Sequence, residues 1–249
     1  MPRRIFIGDI HGHYDGLMRL LEAVDPGHED QVYFVGDLID RGPQSRQVGE
    51  YVRQNDHQCV MGNHEQLLLE AFPNGEAHMP AFQGWLYSGG QSTLSSYTSV
   101  DELFEHLHWI KDLPFYLDLG DIWLVHAGLN PQHTLAEQTS HEYCWIRDSF
   151  HSHTKPYFSD KVIITGHTIT FTLPGIDPGE IAKGPGWLDI DTGAYHPKSG
   201  WLTALDVDNA MVYQFNVFHQ MLRIRSMAEA ESLVAQHKIK QRSSQLVNS

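Results

Sequence analysis

Five short motifs place carboxylate, amide and imidazole side chains directly after apolar segments of the chain. Such side chains are the nitrogen and oxygen donors that divalent metal ions bind in proteins. A lone Gly-Asp or a lone His in such a position is more often part of a turn. Five glycine-flanked motifs of this kind in one chain instead indicate a shared site. The candidate metal ligands are Asp9, His11, Asp37, Asn63, His126 and His167.

Six nitrogen and oxygen donors exceed the three or four ligands that one catalytic metal ion usually takes. They fit two divalent ions about 3.5–4 Å apart that share one carboxylate. Because the set contains no thiolate, Mn²⁺, Fe, Zn²⁺ or Mg²⁺ is favoured over copper(I) or an iron–sulfur cluster. Two such ions lower the pKa of a shared water and bind both the attacking and the leaving oxygen. The donor set therefore predicts metal-dependent hydrolysis of a phosphate ester.

The elements that must position these motifs alternate between strand and helix in the first third of the chain. Short apolar runs predict strands, and apolar residues at helical spacing predict the intervening helices. Because parallel strands end at one edge of a sheet, the polar residues that follow them are expected to meet there. The predicted strands cover 4–7, 31–35 and 57–61, and the predicted helices cover Tyr14–Val24, Ser45–Gln54 and 65–70.

The remainder of the chain predicts a second sheet. Residues 73–98 are rich in Gly, Ser and Pro and are expected to be irregular, and Ser99 with Glu102 is typical of a helix start. Closely spaced strands follow, which favours a mixed or antiparallel sheet. We expect one catalytic domain over residues 1–225, with a helical segment and polar tail over 226–249. The later strands are predicted at 116–119, 122–126, 161–165, 187–190, 202–206 and 211–215.

Composition narrows the class of protein and of partner. The chain has 249 residues, 41% hydrophobic and 19% charged, which is typical of a soluble globular protein. Its net charge of −14 argues against nucleic acid or an anionic membrane as a partner. No apolar run approaches the ~20 residues of a membrane span. Two cysteines, Cys59 and Cys144, suit a reducing compartment. We therefore expect a cytoplasmic protein, and we expect a monomer because no coiled-coil pattern or long edge strand demands an oligomer.

The motifs GDIHG, GDLIDRGP and GNHE, followed by HAG and GH, resemble the phosphoprotein phosphatase family of metallophosphoesterases, in particular its short bacterial and phage members. The similarity runs from residue 5 to about residue 206. It implies an α/β fold in which a two-sheet β-sandwich is flanked by helices, in four layers (αββα). It also implies two divalent metal ions, with Mn²⁺ expected. By this resemblance Asp9, His11 and Asp37 hold the first ion, Asp37 bridges, and Asn63, His126 and His167 hold the second.

The resemblance further implies a role for four residues that do not bind metal. Direct attack by a metal-bridging hydroxide would be assisted by His64, which protonates the leaving oxygen as a general acid. Asp40 would orient His64. Arg41 and Arg147 would bind the phosphate, since two guanidinium groups can each donate paired hydrogen bonds to its oxygens.

Two substrate classes agree with this pattern. The first is a phosphoprotein or phosphopeptide carrying phosphoserine or phosphothreonine, with phosphotyrosine as an additional candidate; the alternative is a dinucleoside tetraphosphate such as diadenosine tetraphosphate. The retained Asp40–Arg41 pair, GNHE in place of GNHD, and the lack of a long insert favour the first. An inactive metal-binding scaffold is a third, disfavoured interpretation, because all the expected ligands and His64 are present.

The other polar residues are expected to have minor roles. Glu65 is expected to open a helix, and Asp191 is a possible supporting residue near the site. Six histidines match no ligand position and are expected to face solvent: His13, His133, His141, His151, His153 and His196.

Overall fold

The structure, a computed structural model, describes residues 2–239 and contains two six-stranded sheets in that range. The strands are β1 (Arg4–Ile7), β2 (Gln31–Phe34), β3 (Gln58–Cys59), β4 (Tyr116–Asp118), β5 (Ile122–Val125), β6 (Val162–Thr165), β7 (Ile181–Gly184), β8 (Trp187–Asp189), β9 (Trp201–Asp206), β10 (Met211–Asn216), β11 (Met221–Ser226) and β12 (Glu231–Leu233). The first sheet has the order β11-β10-β9-β1-β2-β3, and the second has the order β12-β7-β8-β6-β5-β4.

Helices cover the outer faces of both sheets. Successive side chains of a strand point to opposite faces, so Phe6 packs between the sheets with Ile164 while Ile5 and Ile7 pack on the helix side. The predicted fold class, two sheets flanked by helices, is confirmed. The helices are α1 (Tyr14–Val24), α2 (Ser45–Gln54), α3 (Asn63–Ala71), α4 (Met79–Trp85), α5 (Gln91–Ser96), α6 (Val100–Lys111), α7 (Ser140–Trp145), α8 (Asp148–His151) and α9 (Met227–Ala230).

Parallel pairing of β1, β2 and β3 brings the ends of these strands to one edge, as predicted. The second sheet has the same arrangement, because β5, β6 and β8 are parallel. The loops after β1, β2, β3, β5 and β6 therefore carry the five motifs.

Two expectations about the later chain were wrong. The strands predicted at 202–206 and 211–215 belong to the first sheet, where β9 pairs antiparallel with β1. Residues 73–98 are largely helical: α4 continues through a π-helical segment, Leu86–Gly90, into α5. The left-handed conformation of Gly89 accommodates the interruption. The Gly-, Ser- and Pro-rich composition of this segment is typical of loops, so the sequence did not indicate that it is helical.

The segment predicted as helical after residue 225 contains the short helix α9 and the strand β12, which pairs parallel with β7. The polar tail at 240–249 lies outside the described residues, and the boundary at residue 225 stays a prediction. Within 2–239, none of the helices has the length and apolar character that crossing a membrane requires.

Candidate functional site

The structure brings the six predicted metal ligands together at the shared edge of the two sheets. Each is at most 5% exposed. Donor atoms of Asp9, Asp37 and His126 lie within 4.8 Å of one another, and so do those of His11, Asp37 and His64. Asp37 is common to both groups, which is the position that a bridging carboxylate occupies. The second group includes His64, a residue that the sequence predicts to lie beside the metals without binding them.

Backbone carbonyls orient the three candidate imidazole ligands. A ring nitrogen that donates to a carbonyl carries the proton, so the other ring nitrogen presents its lone pair. Burial lowers the pKa of all three imidazoles, which keeps them neutral and able to bind metal. The three bonds are His11 Nδ1 to Ile39 O (2.9 Å), His126 Nδ1 to Val35 O (2.7 Å) and His167 Nε2 to Trp145 O (3.3 Å).

The lone pairs of these imidazoles face oxygen atoms that are also acceptors. His126 Nε2 lies 3.0 Å from Asn63 Oδ1 and 3.3 Å from Asp37 Oδ1. His167 Nδ1 lies 2.8 Å from the same Asn63 oxygen, and His11 Nε2 lies 3.5 Å from Asp37 Oδ2. Acceptors that converge on one another in a buried place are costly unless a donor or a cation lies between them, and a divalent cation would satisfy several of them at once. The donor set therefore fits divalent metal ions.

The carboxylates point to the same requirement. Burial, and then the nearby charges of Asp191 and Asp37, raise the pKa of Asp9 well above its ordinary value. Asp191 is itself buried, and burial raises its pKa to about 6. Ionising these carboxylates together is costly without a compensating cation. Bound divalent ions would remove that cost.

Five of the predicted site residues have a left-handed backbone conformation, with φ between 46° and 71°. Non-glycine residues adopt this region rarely, because the Cβ atom approaches the backbone, and such strain is concentrated at functional sites. These sharp turns aim successive side chains of one loop at a common point. The five are His11, Asp37, Asp40, Arg41 and His167.

His64 and Asp40 form a buried pair beside the candidate ligands. His64 Nδ1 donates to Asp40 Oδ2 at 2.6 Å, so Nε2 faces the ligands, 4.0 Å from Asp37 Oδ2. Asp40 also accepts hydrogen bonds from Trp85 Nε1 (3.0 and 3.1 Å) and Thr93 Oγ1 (2.6 Å). Both donors come from the segment that was expected to be irregular. Asp40 is therefore held rigidly enough to orient the imidazole.

Glu65 contributes more to the site than its expected role of opening a helix. Its carboxylate accepts hydrogen bonds from the backbone N–H groups of Asp37 (2.9 Å), Leu38 (2.9 Å) and Gly62 (3.1 Å). A Cβ atom on Gly62 would collide with Asp37, so only glycine permits this approach. Glu65 thus fixes the loop that presents Asp37. The GNHE motif contained the residue, but the sequence held no sign of its distant partners.

The two predicted phosphate-binding arginines contact different candidate ligands. Arg41 Nη1 lies 2.9 Å from His11 Nε2, and its guanidinium stacks 4.0 Å above the Tyr195 ring. Arg147 Nη1 donates to His167 O and to Thr168 Oγ1, both at 3.1 Å. Arg41 is therefore adjacent to the candidate ligand His11, and Arg147 to the candidate ligand His167. Tyr195 belongs to no motif that the sequence analysis singled out.

Of the six histidines that were expected to face solvent, one is not exposed at all. His151 is completely buried, whereas His141 is exposed and the other four are partly buried. The reason is packing: His151 ends α8 and lies between Phe150 and Trp187, with ring centroids 5.2 and 5.0 Å away.

Comparison with known proteins places this geometry in context. The model of the calcineurin-like phosphoesterase family matches residues 2–184. A symmetrical bis(5'-nucleosyl)-tetraphosphatase from Dechloromonas aromatica (strain RCB) is 38% identical over 132 residues, which are 51% of this chain and 44% of that protein. The protein of the same name from Salmonella paratyphi C (strain RKS4594) is 31% identical over 162 residues, 63% of this chain and 53% of its own length. The chain thus spans about half the length of the curated relatives it matches.

Solved structures agree on the fold. A putative diadenosine tetraphosphatase superimposes with a TM-score of 0.61 at 20% identity, covering 91% of this chain and 96% of that one. A protein serine/threonine phosphatase from Saccharomyces cerevisiae superimposes with a TM-score of 0.58 at 15% identity, covering 90% of this chain and 79% of that one. At such low identity these similarities show the fold alone.

Proposed function

Because this chain belongs to the calcineurin-like phosphoesterase family, we propose that it is a metal-dependent hydrolase of dinucleoside tetraphosphates, with diadenosine tetraphosphate as the reference substrate. The observation that carries this proposal is the 38% identity to a relative named as a symmetrical tetraphosphatase. The family membership supports the phosphoesterase class, and the relatives' names favour this substrate over the phosphoprotein expected from the motifs.

The proposed chemistry is hydrolysis of the central phosphoanhydride bond by water, which releases two nucleoside diphosphates. When bound, two divalent ions would neutralise phosphate charge and lower the pKa of the attacking water. Asp9, His11 and Asp37 would hold one ion, and Asn63, His126 and His167 would hold the other together with Asp37. Mn²⁺ is the metal that we propose for assay.

The residues around the ligands would bind and orient the substrate. Arg41, which contacts His11, and Arg147, which contacts His167, would donate hydrogen bonds to phosphate oxygens and stabilise the charge that the transition state develops. His64 would carry a proton on Nε2 and donate it to the leaving oxygen, since its Nδ1 is engaged by Asp40.

One observation favours a second candidate, a phosphomonoesterase acting on phosphoserine or phosphothreonine. The last proton of a phosphate has a pKa of about 6, so a nucleoside diphosphate leaves with little help from an acid. An alkoxide leaving group depends on protonation, and the buried, fully hydrogen-bonded Asp40–His64 pair is suited to supply it. The two candidates therefore differ in how strongly they need His64.

The substrates should be compared on a single Mn²⁺-loaded preparation. We expect kcat/KM to be highest for diadenosine tetraphosphate, above those for a phosphoserine peptide and a phosphotyrosine peptide, and ADP to be the only nucleotide product. A higher kcat/KM for either peptide would support the phosphomonoesterase and reject the tetraphosphatase. Release of ATP with AMP would show that cleavage is not symmetrical.

A further inference from the structure

A buried pair of titratable side chains, His151 and Asp189, lies beside the site and is not used by the proposed chemistry. Both residues are completely buried. His151 Nε2 and Asp189 Oδ2 are 3.3 Å apart, and among the described residues neither atom has a well-aligned hydrogen-bond partner. Buried polar atoms without partners are rare in folded proteins, so each calls for a physical explanation.

The pair connects the backbone of Arg147 to the end of β8. His151 Nδ1 donates to Arg147 O at 3.0 Å, and the backbone N–H of His151 donates to the same oxygen at 3.0 Å. On the other side, Asp189 Oδ1 accepts from the backbone N–H of Asp191 at 3.0 Å. Since β8 lies beside β6, whose following loop carries His167, the pair links Arg147 to the scaffold of the candidate ligands.

A single proton satisfies this pair. Because His151 Nδ1 donates to a carbonyl, Nε2 presents a lone pair, and Asp189 must supply the proton that lies between them. Burial lowers the pKa of His151 to about 4, and burial together with Asp191 raises the pKa of Asp189 well above its ordinary value. The pair is therefore neutral, and it does not compete with phosphate for the charge of Arg147.

Other contacts also hold the segment from Arg147 to His151 in place. Phe150 packs over Gly128, where a Cβ atom would collide with the phenyl ring and where φ is +148°. Gln236 Nε2 donates to His151 O at 3.0 Å from the C-terminal segment. In contrast, the Arg147 side chain is exposed. Anchoring its backbone reduces the conformational freedom that the guanidinium must lose when it binds phosphate.

We infer that the buried His151–Asp189 pair positions Arg147 for phosphate binding, so that both residues affect phosphate affinity without touching phosphate. The inference rests on the proposed function only in that Arg147 binds a phosphate group of the substrate. It applies equally to a dinucleotide and to a phosphomonoester.

The test compares variants of the full, Mn²⁺-loaded chain by inhibition with inorganic phosphate, by calorimetric phosphate binding and by thermal melting. His151→Phe and Asp189→Ala should each weaken phosphate about tenfold, within the range in which small misplacements reduce binding and rate. They should raise KM for p-nitrophenyl phosphate more than they lower kcat. Asp189→Asn should retain the affinity, because its amide can donate to His151 Nε2 and its oxygen can accept from Asp191.

The decisive comparison is with Arg147→Ala, which should itself weaken phosphate. In that background His151→Phe should produce no further loss, because the two changes act through one guanidinium. His106→Phe is the matched control. His106 is also buried and bonded to a carboxylate, that of Glu50 at 2.6 Å, but it belongs to α6 and its partner belongs to α2. It should lower the melting temperature and leave phosphate affinity unchanged.

Three results would overturn the inference. The first is unchanged phosphate affinity in folded His151→Phe, and the second is an equal loss with and without Arg147. The third is an Asp189→Asn protein as weak as Asp189→Ala, a comparison that remains decisive if His151→Phe does not fold. None of these assays uses a dinucleotide, so failure of the tetraphosphatase proposal would be seen separately.

Discussion

Replacing the shared carboxylate, Asp37→Asn, is expected to lower metal affinity at least 100-fold and to abolish most hydrolysis. Loss of an outer hydrogen-bond partner of a ligand already costs about 10–100-fold in metal affinity, and Asp37 would bind both ions directly. The amide keeps the size of the side chain. Its oxygen can still accept the hydrogen bond that the His64 backbone N–H donates to Asp37 Oδ1 at 3.0 Å in the parent protein. The measurement is the metal content after desalting, together with the rate of phosphoester hydrolysis.

A melting experiment separates this loss from unfolding. In metal-free protein, Asp37→Asn should still unfold cooperatively, close to the melting temperature of the parent, because the amide has the size of the carboxylate and keeps the hydrogen bond from the His64 backbone N–H. Asp118→Asn is a matched control, since Asp118 is an exposed partner of Lys161 on the edge strand β4. It should leave the metal content unchanged. An Asp37→Asn protein that retains both ions at the original affinity would exclude Asp37 as the bridge.

His64→Asn is expected to retain the metals and to slow hydrolysis of alkyl phosphates by about 10²–10⁴, the usual range for general acid catalysis. The loss should be much smaller for diadenosine tetraphosphate and for aryl phosphates, whose leaving groups need less protonation. Measuring kcat for all three substrates on one preparation therefore provides an internal control. If His64→Asn loses metal to the same extent as Asp37→Asn, then His64 is a ligand and the acid is another group.

The ends of the first strands could be predicted because the candidate metal ligands lie on short, glycine-flanked turns that follow buried strands. Asp9, Asp37 and Asn63 could be placed at one sheet edge from the β-α-β pattern alone. The hydrogen-bond partners of those residues could not be predicted. A bond such as that from the Asp37 backbone N–H to Glu65 depends on how two loops pack against each other. The helical segment carrying Trp85 and Thr93 was missed because its glycines are typical of loops, although tertiary packing stabilises it.

The sequence also could not decide which sheet each later strand joins or which substrate the protein hydrolyses. A strand such as β9 looks the same in the sequence whether it pairs with β1 or with β8, because pairing is decided between elements distant in the chain. The motifs predict metal-binding and phosphate-binding groups of a kind that different phosphohydrolases share. Substrate choice depends on the groups around such a site, and no motif marks those groups; Tyr195, which stacks with Arg41, is one residue beside the candidate site that the sequence did not indicate. The residue differences in the second and third motifs were therefore a weak guide to substrate.

The most direct test of the two-metal account is a titration of metal-free protein with Mn²⁺, followed by calorimetry and by hydrolysis of p-nitrophenyl phosphate. We expect two equivalents to bind, no hydrolysis before metal is added, and full hydrolysis once both sites are filled; chelation should reverse both signals. Full activity in the metal-free protein, or saturation at a single equivalent, would contradict the account.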